Sequence, residues 1–396
     1  MKKIIIFLMI SCSLFLIYSY ILENKKDDKT LLKPAIRDNI NTEKRGVFIS
    51  YIDYRDLKNK TKEEGENIIT DMINNIHYYG FNSVILQVRP FSDAIYDSDL
   101  YLSSHTIVEN EGDKLEYDIL ETFIDKASEQ NIEVYAWINP YRIRSTNSMN
   151  GISHDNYYYK WFGTDKIERS EKGIYLNPSD DDVINYITEG IKELCNNYDI
   201  KGVIFDDYFY PNKTIDLKKY DKTDKKMSIE KYRINNVNKL LEKSYNTVKN
   251  VNKNIKFGVS PQGNLENNLN NLYLDVENLL KSNYIDLIIP QLYYGFNNSN
   301  KPYIKTLDDF INLNVKNKDL YIALSLYKSG MIDNYAGKGE NEWLENSDII
   351  KKQILVSRNK KGYKGFYIFR YDNLFNNISN EKLNAEVDNL KSIIDR

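Results

Sequence analysis

Two adjacent carboxylates, Asp206 and Asp207, follow the apolar run Gly202-Val203-Ile204-Phe205 and precede Tyr208-Phe209-Tyr210-Pro211. Apolar residues favour burial and an ionised carboxylate resists it, so this run fits a buried strand that surfaces at a cleft. Carboxylates in such a place are candidate acids, bases or nucleophiles. An exposed strand end closed by a turn-forming Asp pair would read the same way. Neighbours on an extended strand point to opposite sides, so Asp206 and Asp207 do not flank one bond as acid and nucleophile. Both registers of the strand are apolar, which leaves open which aspartate faces inward. A second carboxyl is expected from another element, with Asp93 first and Asp53 or Asp372 as alternatives.

The elements that must position these groups alternate along the chain. Buried strands are predicted at Gly46–Tyr51, Ser83–Arg89, Glu133–Tyr141, Gly202–Tyr210, Phe257–Gln262, Asp286–Tyr294, Leu320–Tyr327 and Gly365–Tyr371. Helical periodicity marks Glu63–Tyr79, Tyr117–Gln130, Asp182–Tyr198, Ile229–Val251, Leu307–Leu313, Ile349–Lys360 and Glu381–Ile394. Near-continuous apolar strands alternating with helices indicate a parallel sheet covered on both faces. Eight such units over residues 45–396 predict an α/β fold, a (β/α)8 TIM barrel with inserted loops. The competing open doubly wound sheet lacks a Gly-rich phosphate fingerprint after the first strand.

In a TIM barrel the chemistry gathers at the C-terminal strand ends. Polar and aromatic residues fall there on every strand: Tyr51 and Asp53; Gln87, Arg89 and Asp93; Trp137, Asn139, Tyr141 and Arg142; Asp206 to Tyr210; Ser260 and Gln262; Gln291 and Tyr293; Ser325, Tyr327 and Lys328; Arg370 and Asp372. Asn, Gln, Arg, Asp and Tyr around a cleft match carbohydrate, which offers hydroxyls to polar groups and ring faces to aromatics. Candidate catalytic residues are therefore Asp206, Asp207 and Asp93. Candidate substrate-binding residues are Arg89, Trp137, Asn139, Tyr141, Arg142, Tyr208, Tyr210, Gln262, Gln291, Tyr293, Lys328 and Arg370. Arg89 as a satisfied buried charge, and Trp137 as barrel packing, are the plainer alternatives. A long third connection, 143–178, carries His154, Tyr157–Tyr159 and Trp161 and reads as a cleft wall; a second, 212–228, reads as a charged excursion.

Composition bounds the remaining possibilities. The 396 residues are 41% hydrophobic and 13% aromatic, with 33 tyrosines, enough apolar material for a large core. A formal charge of −3 leaves no electrostatic footprint for nucleic acid. Two cysteines, Cys12 and Cys195, make no disulfide framework in the folded part, and Cys195 reads as core. Three separated histidines, His77, His105 and His154, give a zinc site little to work with, and no metal or cofactor is expected. Residues 1–23 open with Lys2-Lys3 and an apolar stretch long enough to span a bilayer. They read as an uncleaved signal anchor, with a lipoprotein cut at Cys12 or secretion as alternatives, and 24–44 read as a linker.

Several motifs then converge on one family. They are Arg45-Gly46-Val47-Phe48, Gln87-Val88-Arg89-Pro90 with Asp93-Ala94-Ile95-Tyr96-Asp97-Ser98, and Ala136-Trp137-Ile138-Asn139-Pro140-Tyr141-Arg142. Leu176-Asn177-Pro178, Phe205–Pro211, Phe257-Gly258-Val259-Ser260-Pro261 and Ile289-Pro290-Gln291-Leu292-Tyr293 follow in order. With these motifs the chain resembles the glycosyl hydrolase-like 10 (DUF187) family. The resemblance implies a TIM-barrel, extracytoplasmic bacterial enzyme acting on cell-wall glycan, commonly with a membrane or lipid anchor. Phe91-Ser92 before Asp93 departs from the family, which more often has a Gly there. The expectation is a membrane-anchored, monomeric glycoside hydrolase cleaving peptidoglycan glycan strands. A non-catalytic glycan-binding surface protein and a hydrolase of another polysaccharide are the rivals.

Overall fold

The computed structural model describes residues 42–206, 209–376 and 380–394. Eight parallel strands close into a barrel: β1 (Lys44–Ile49), β2 (Ser83–Arg89), β3 (Glu133–Ile138), β4 (Gly202–Phe205), β5 (Lys256–Val259), β6 (Leu287–Ile288), β7 (Asp319–Ser325) and β8 (Tyr363–Phe369). Each strand pairs with its sequence neighbour, and β8 closes on β1 with Lys44 opposite Gly365 and Val47 opposite Ile368. The expected TIM barrel is therefore the architecture observed.

Several strands stop short of their predicted ends, and three show why. β3 stops at Ile138, before Pro140, and β6 at Ile288, before Pro290, because proline lacks the N–H that a ladder needs. β4 ends at Phe205, where the sequence turns from apolar to acidic. Alternation sorts the residues that remain. Phe48, Ile85, Tyr135, Trp137, Ile204, Leu287, Tyr321 and Tyr367 fill the barrel interior, and Phe48 meets Trp137 edge-on with ring centroids 5.7 Å apart. Val47, Ile49, Val84, Leu86, Val203 and Phe205 face the outer helices. Gly46 has a packing reason: a Cβ there would lie 2.1 Å from the Tyr367 ring.

The helices carry their own start signals. Helix α1 (Lys62–Tyr78) opens with a capping box between Thr61 and Glu64. Helix α2 (Ile119–Glu129) is capped by Asp118. Helix α3 (Asp181–Asn197) is capped by Asp180, whose carboxylate accepts from the Asp182 and Val183 N–H groups, and α4 (Ile229–Val251) by Ser228. The long third connection folds into a small antiparallel sheet of Arg142–Arg144, Ile167–Ser170 and Gly173–Leu176 plus a short helix, Tyr157–Lys160. Its aromatics were expected to wall the cleft. They pack against α3 instead, with the Tyr157 ring 4.1 Å and the Trp161 ring 5.5 Å from Tyr186. The second insertion is anchored by Asp216, buried and ion-paired with Arg233 at 2.8 Å.

The predicted anchor, 1–23, and residues 24–41 of the predicted linker, 24–44, lie outside the described residues, while Lys44 already belongs to β1. Among the described residues no helix is long and apolar enough to cross a membrane.

Candidate active site

A cavity of about 410 Å³ opens at the C-terminal mouth of the barrel. Phe48 and Phe369 form part of its floor, and Tyr51, Trp137, Tyr293 and Tyr327 supply aromatic walls. Ser50, Gln87, Asn139, Arg142, Asp206, Ser260, Gln291 and Arg370 supply the polar groups. The rings form a connected set: Tyr293 lies 5.9 Å from Phe369 and 6.1 Å from Tyr327. A larger groove, about 610 Å³, lies between the two insertions, but its charges neutralise one another. There Lys166 pairs with Asp182 at 2.7 Å and Lys222 with Asp165 at 2.9 Å.

Strand parity brings Asp206 into the cavity. Ile204 points into the barrel, and Asp206, two residues on, lines the mouth. Only 5% of Asp206 is exposed, and one of its oxygens, Oδ2, accepts from Trp137 Nε1 at 3.1 Å and from the Asn139 side-chain amide. A polar relay fixes the direction of that second bond. The Tyr51 backbone N–H can only donate, and it meets Gln87 Oε1 at 3.1 Å. Gln87 Nε2 must then face Asn139 Oδ1, which it does at 2.5 Å, while Arg142 reaches the same oxygen at 3.5 Å. Asn139 consequently presents its NH2 to Asp206. The Tyr54 hydroxyl holds the Gln87 backbone carbonyl at 2.8 Å, so the relay begins on rigid ground.

The cations are also placed. Arg142 donates from Nε to the Pro90 carbonyl at 2.9 Å and lies 4.8 Å over the Phe91 ring. Arg370 pairs with Asp53 and approaches Asp372 at 3.4 Å. Burial raises the Asp53 pKa, and the bonds from Ser50, Arg370 and the Asp372 N–H offset this only in part. Gln291 donates to the Ser260 carbonyl at 3.1 Å.

The profile of the family described as Glycosyl hydrolase-like 10 matches residues 43–344, most of the barrel. The chain belongs to that family. As a member it is a glycoside hydrolase, an enzyme of O-glycosyl bonds. It is 29% identical to the glycosyl hydrolase YngK of Bacillus subtilis strain 168 over 363 residues, covering 85% of this chain and 69% of YngK. It is 26% identical to the glycosyl hydrolase DigH of Escherichia coli K12 over 384 residues, 86% of each chain. Among solved structures, the glycoside hydrolase domain of PgaB (BpsB) from Bordetella bronchiseptica superposes with a TM-score of 0.52 at 11% identity. That match covers 89% of this chain and 98% of the domain. The endo-1,4-beta-mannanase of Rhizomucor miehei gives 0.54 at 11% identity, covering 89% and 95%. These two likenesses establish the fold alone.

Within this glycosyl hydrolase-like 10 barrel, Asp206, Trp137, Asn139, Arg142, Gln291, Tyr293 and Arg370 share one cavity. Asp207 and Tyr208 lie outside the described residues. Six other expectations are corrected. Asp93 is fully buried and away from the cavity; it accepts from His105 Nδ1 at 2.6 Å and lies 3.8 Å from Arg144. Burial alone would raise its pKa, but His105 and Arg144 outweigh this and hold Asp93 below the ordinary carboxylate range. Arg89 is buried because the β2–β3 register shifts between Gln87 and Arg89. Its guanidinium donates to the carbonyls of Phe91, Asn139 and Pro140 and so shapes the rim without reaching substrate. Tyr141 and Tyr210 turn into the core beyond their strand ends; the Tyr210 hydroxyl accepts from Asn236 at 3.1 Å. Gln262 is drawn to the start of the next helix, where its side chain accepts from Asn267. Lys328 sits behind the wall, donating to the Tyr293 carbonyl at 2.8 Å and to Asp333 at 2.7 Å.

Gln87 is the functional residue that the site reading left out, although it stands at a strand end. The signal was parity: Ile85 points into the barrel, so Gln87 does as well. His105 and Glu111 also escaped the sequence reading. With Asp93 they bring three ligand-capable atoms within 4.8 Å of one another. Arg144 already supplies the cation there, 3.1 Å from Glu111, which also accepts from Ser153 N–H and Asn156. The cluster is an internal ion network bracing the loops behind the rim.

Proposed function

We propose that the chain cleaves glycosidic bonds within peptidoglycan glycan strands outside the cell, held to the membrane by residues 1–23. The observation that carries the reading is Asp206, pinned by two N–H donors in a cavity of aromatic and polar groups that include Arg142 and Arg370. Such a cavity suits a pyranose ring, with stacking faces on the walls and hydroxyl partners in Asn139, Arg142, Gln291 and Arg370. Asp206 and Asp207 form the catalytic centre, Asp207 being assigned from its place next in sequence. The family match and relatives carrying the name glycosyl hydrolase support the reaction class. The substrate and the extracytoplasmic site rest on the family resemblance of the motifs.

Incubation of purified protein with peptidoglycan, followed by assay of released reducing ends, tests the reading. Release that disappears in both Asp206→Asn and Asp207→Asn supports it. Binding to glycan without release by the wild type would instead make the chain a glycan-binding surface protein. Release from a different polysaccharide, with peptidoglycan untouched in both its denuded and peptide-bearing forms, would change the substrate class.

A further inference from the structure

Folding alone puts polar side chains outside and apolar ones inside. The segment after β7 does the reverse. Asp333 is buried, whereas Met331, Ile332 and Tyr335 are 54%, 52% and 87% exposed. Single exposed apolar residues are ordinary. Three within five positions, set around a buried aspartate, mark a surface kept for contact.

The segment is braced from within. The Asp333 carboxylate accepts from Lys328 Nζ at 2.7 Å, and the same ammonium donates to the carbonyl of Tyr293, a wall residue, at 2.8 Å. The loop after β6 supplies further ties. Ser299 N–H donates to the Ala336 carbonyl at 2.9 Å, the Asn300 amide to the Tyr335 carbonyl at 3.1 Å, and Lys338 N–H to Ser299 Oγ at 2.9 Å. Glu342 accepts from the Phe296 and Asn297 N–H groups at 2.9 and 2.8 Å. Gly339 lies so close to this loop that a Cβ would stand 2.4 Å from the Asn297 carbonyl oxygen. The Tyr335 backbone is thus fixed between the two loops that carry the wall residues Tyr293 and Tyr327, while its side chain stands in solvent.

We infer that the 331–335 ledge, with Tyr335 as its stacking face, binds a sugar of the polysaccharide strand that lies outside the cavity. This deepens, and rests on, the glycan-cleaving reading above, and it makes Tyr335 a residue that favours long strands over short fragments. An aromatic ring on a braced backbone offers an apolar face with little backbone left to order on binding. Exposed amides on the neighbouring loop, Asn297 and Asn300, add partners for hydroxyls. A lipid surface fits the ledge less well. Asn334, Lys338 and Glu340 in the same exposed run give no basic excess, and β1 enters the barrel at Lys44, at the opposite end.

The test compares the full chain with its Tyr335→Ala and Tyr335→Trp variants on long peptidoglycan strands and on the shortest fragment that the wild type cleaves. Tyr335→Ala should raise KM for strands roughly tenfold with kcat nearly unchanged, and leave the short fragment unaffected. Tyr335→Trp should keep the wild-type KM. Equal KM for strands in Tyr335→Ala and the wild type, or an equal loss on strand and fragment, would overturn the inference while leaving cleavage standing. Sedimentation with insoluble peptidoglycan gives a readout that needs no turnover. Weaker binding by Tyr335→Ala, with no cleavage even by the wild type, would remove the hydrolase reading and keep the ledge as a glycan contact. Loss of binding to anionic phospholipid vesicles in Tyr335→Ala, at an unchanged KM for strands, would give the ledge to the membrane instead. Should Tyr335→Ala fail to fold, Ile332→Ser carries the same comparison, with a smaller rise in KM for strands expected.

Discussion

Two buried carboxylates close to one barrel mouth, Asp206 and Asp93, differ in what surrounds them. Asp206 accepts from two neutral donors, Trp137 and Asn139, and borders a cavity. Asp93 is enclosed by a histidine and a guanidinium and is not among the residues lining that cavity. A carboxylate already neutralised by protein cations has its charge committed, because breaking that pairing strands a buried opposite charge. Asp206 instead lines a cavity wide enough to admit a ligand. Both residues are aspartates near one barrel mouth, so the lesson is that the partners, more than the residue type, separate chemistry from support.

The largest effect expected is on turnover. Asp206→Asn keeps the size of the side chain and should lower kcat by roughly 10²–10⁴-fold while thermal stability changes little. Asp93→Asn should do the reverse, costing on the order of 3–5 kcal/mol of stability while the folded fraction keeps its activity. Denaturant titration beside activity per folded molecule separates them; loss of turnover at an unchanged midpoint in Asp93→Asn would erase the contrast.

The same contrast has a pH signature. The folded-state pKa of Asp93 lies below its ordinary value of 3.8. Its contribution to stability is thus complete above that value and is lost as pH falls through the lower folded pKa. Acid unfolding followed by far-UV circular dichroism should begin at higher pH in Asp93→Asn than in the wild type; identical acid transitions would show that the pair is not holding the fold.

A smaller effect is expected from Gln87, a positioning residue. Gln87→Leu frees the Asn139 amide to rotate, and kcat should fall between about tenfold and a hundredfold. The acidic limb of the pH–rate profile should also move upward as Asp206 loses a fixed donor, and Gln87→Glu should not restore it. A packing role alone would leave that limb in place. Smallest is Tyr327→Ala at the wall, expected to raise KM roughly tenfold with kcat nearly unchanged. A fall in kcat instead would put Tyr327 in the reacting centre.

The barrel was readable because its signals repeat: eight apolar runs, each ending in polar groups, survive errors at any one boundary. The interior assignment of Asp206 was not, since Val203, Ile204 and Phe205 are apolar on both faces and only the placed barrel distinguishes them. Arg89 misled for a local reason, the register shift that follows Gln87. Asp93 misled for a distant one: His105 and Arg144 lie 12 and 51 positions away along the chain and meet it only in space. Tyr141 and Tyr210 show the limit of parity, which fails once a strand has turned at Pro140 or passed the acidic pair.

Tyr135, Tyr321 and Tyr367 crowd the channel beneath the cavity, with the Tyr321 and Tyr367 rings 5.8 Å apart. A polymer cannot thread such a plugged tube. If the substrate is the glycan strand proposed above, it would lie across the rim like a rope over a well-head, dip one residue inward, and release both fragments upward past the door by which it came.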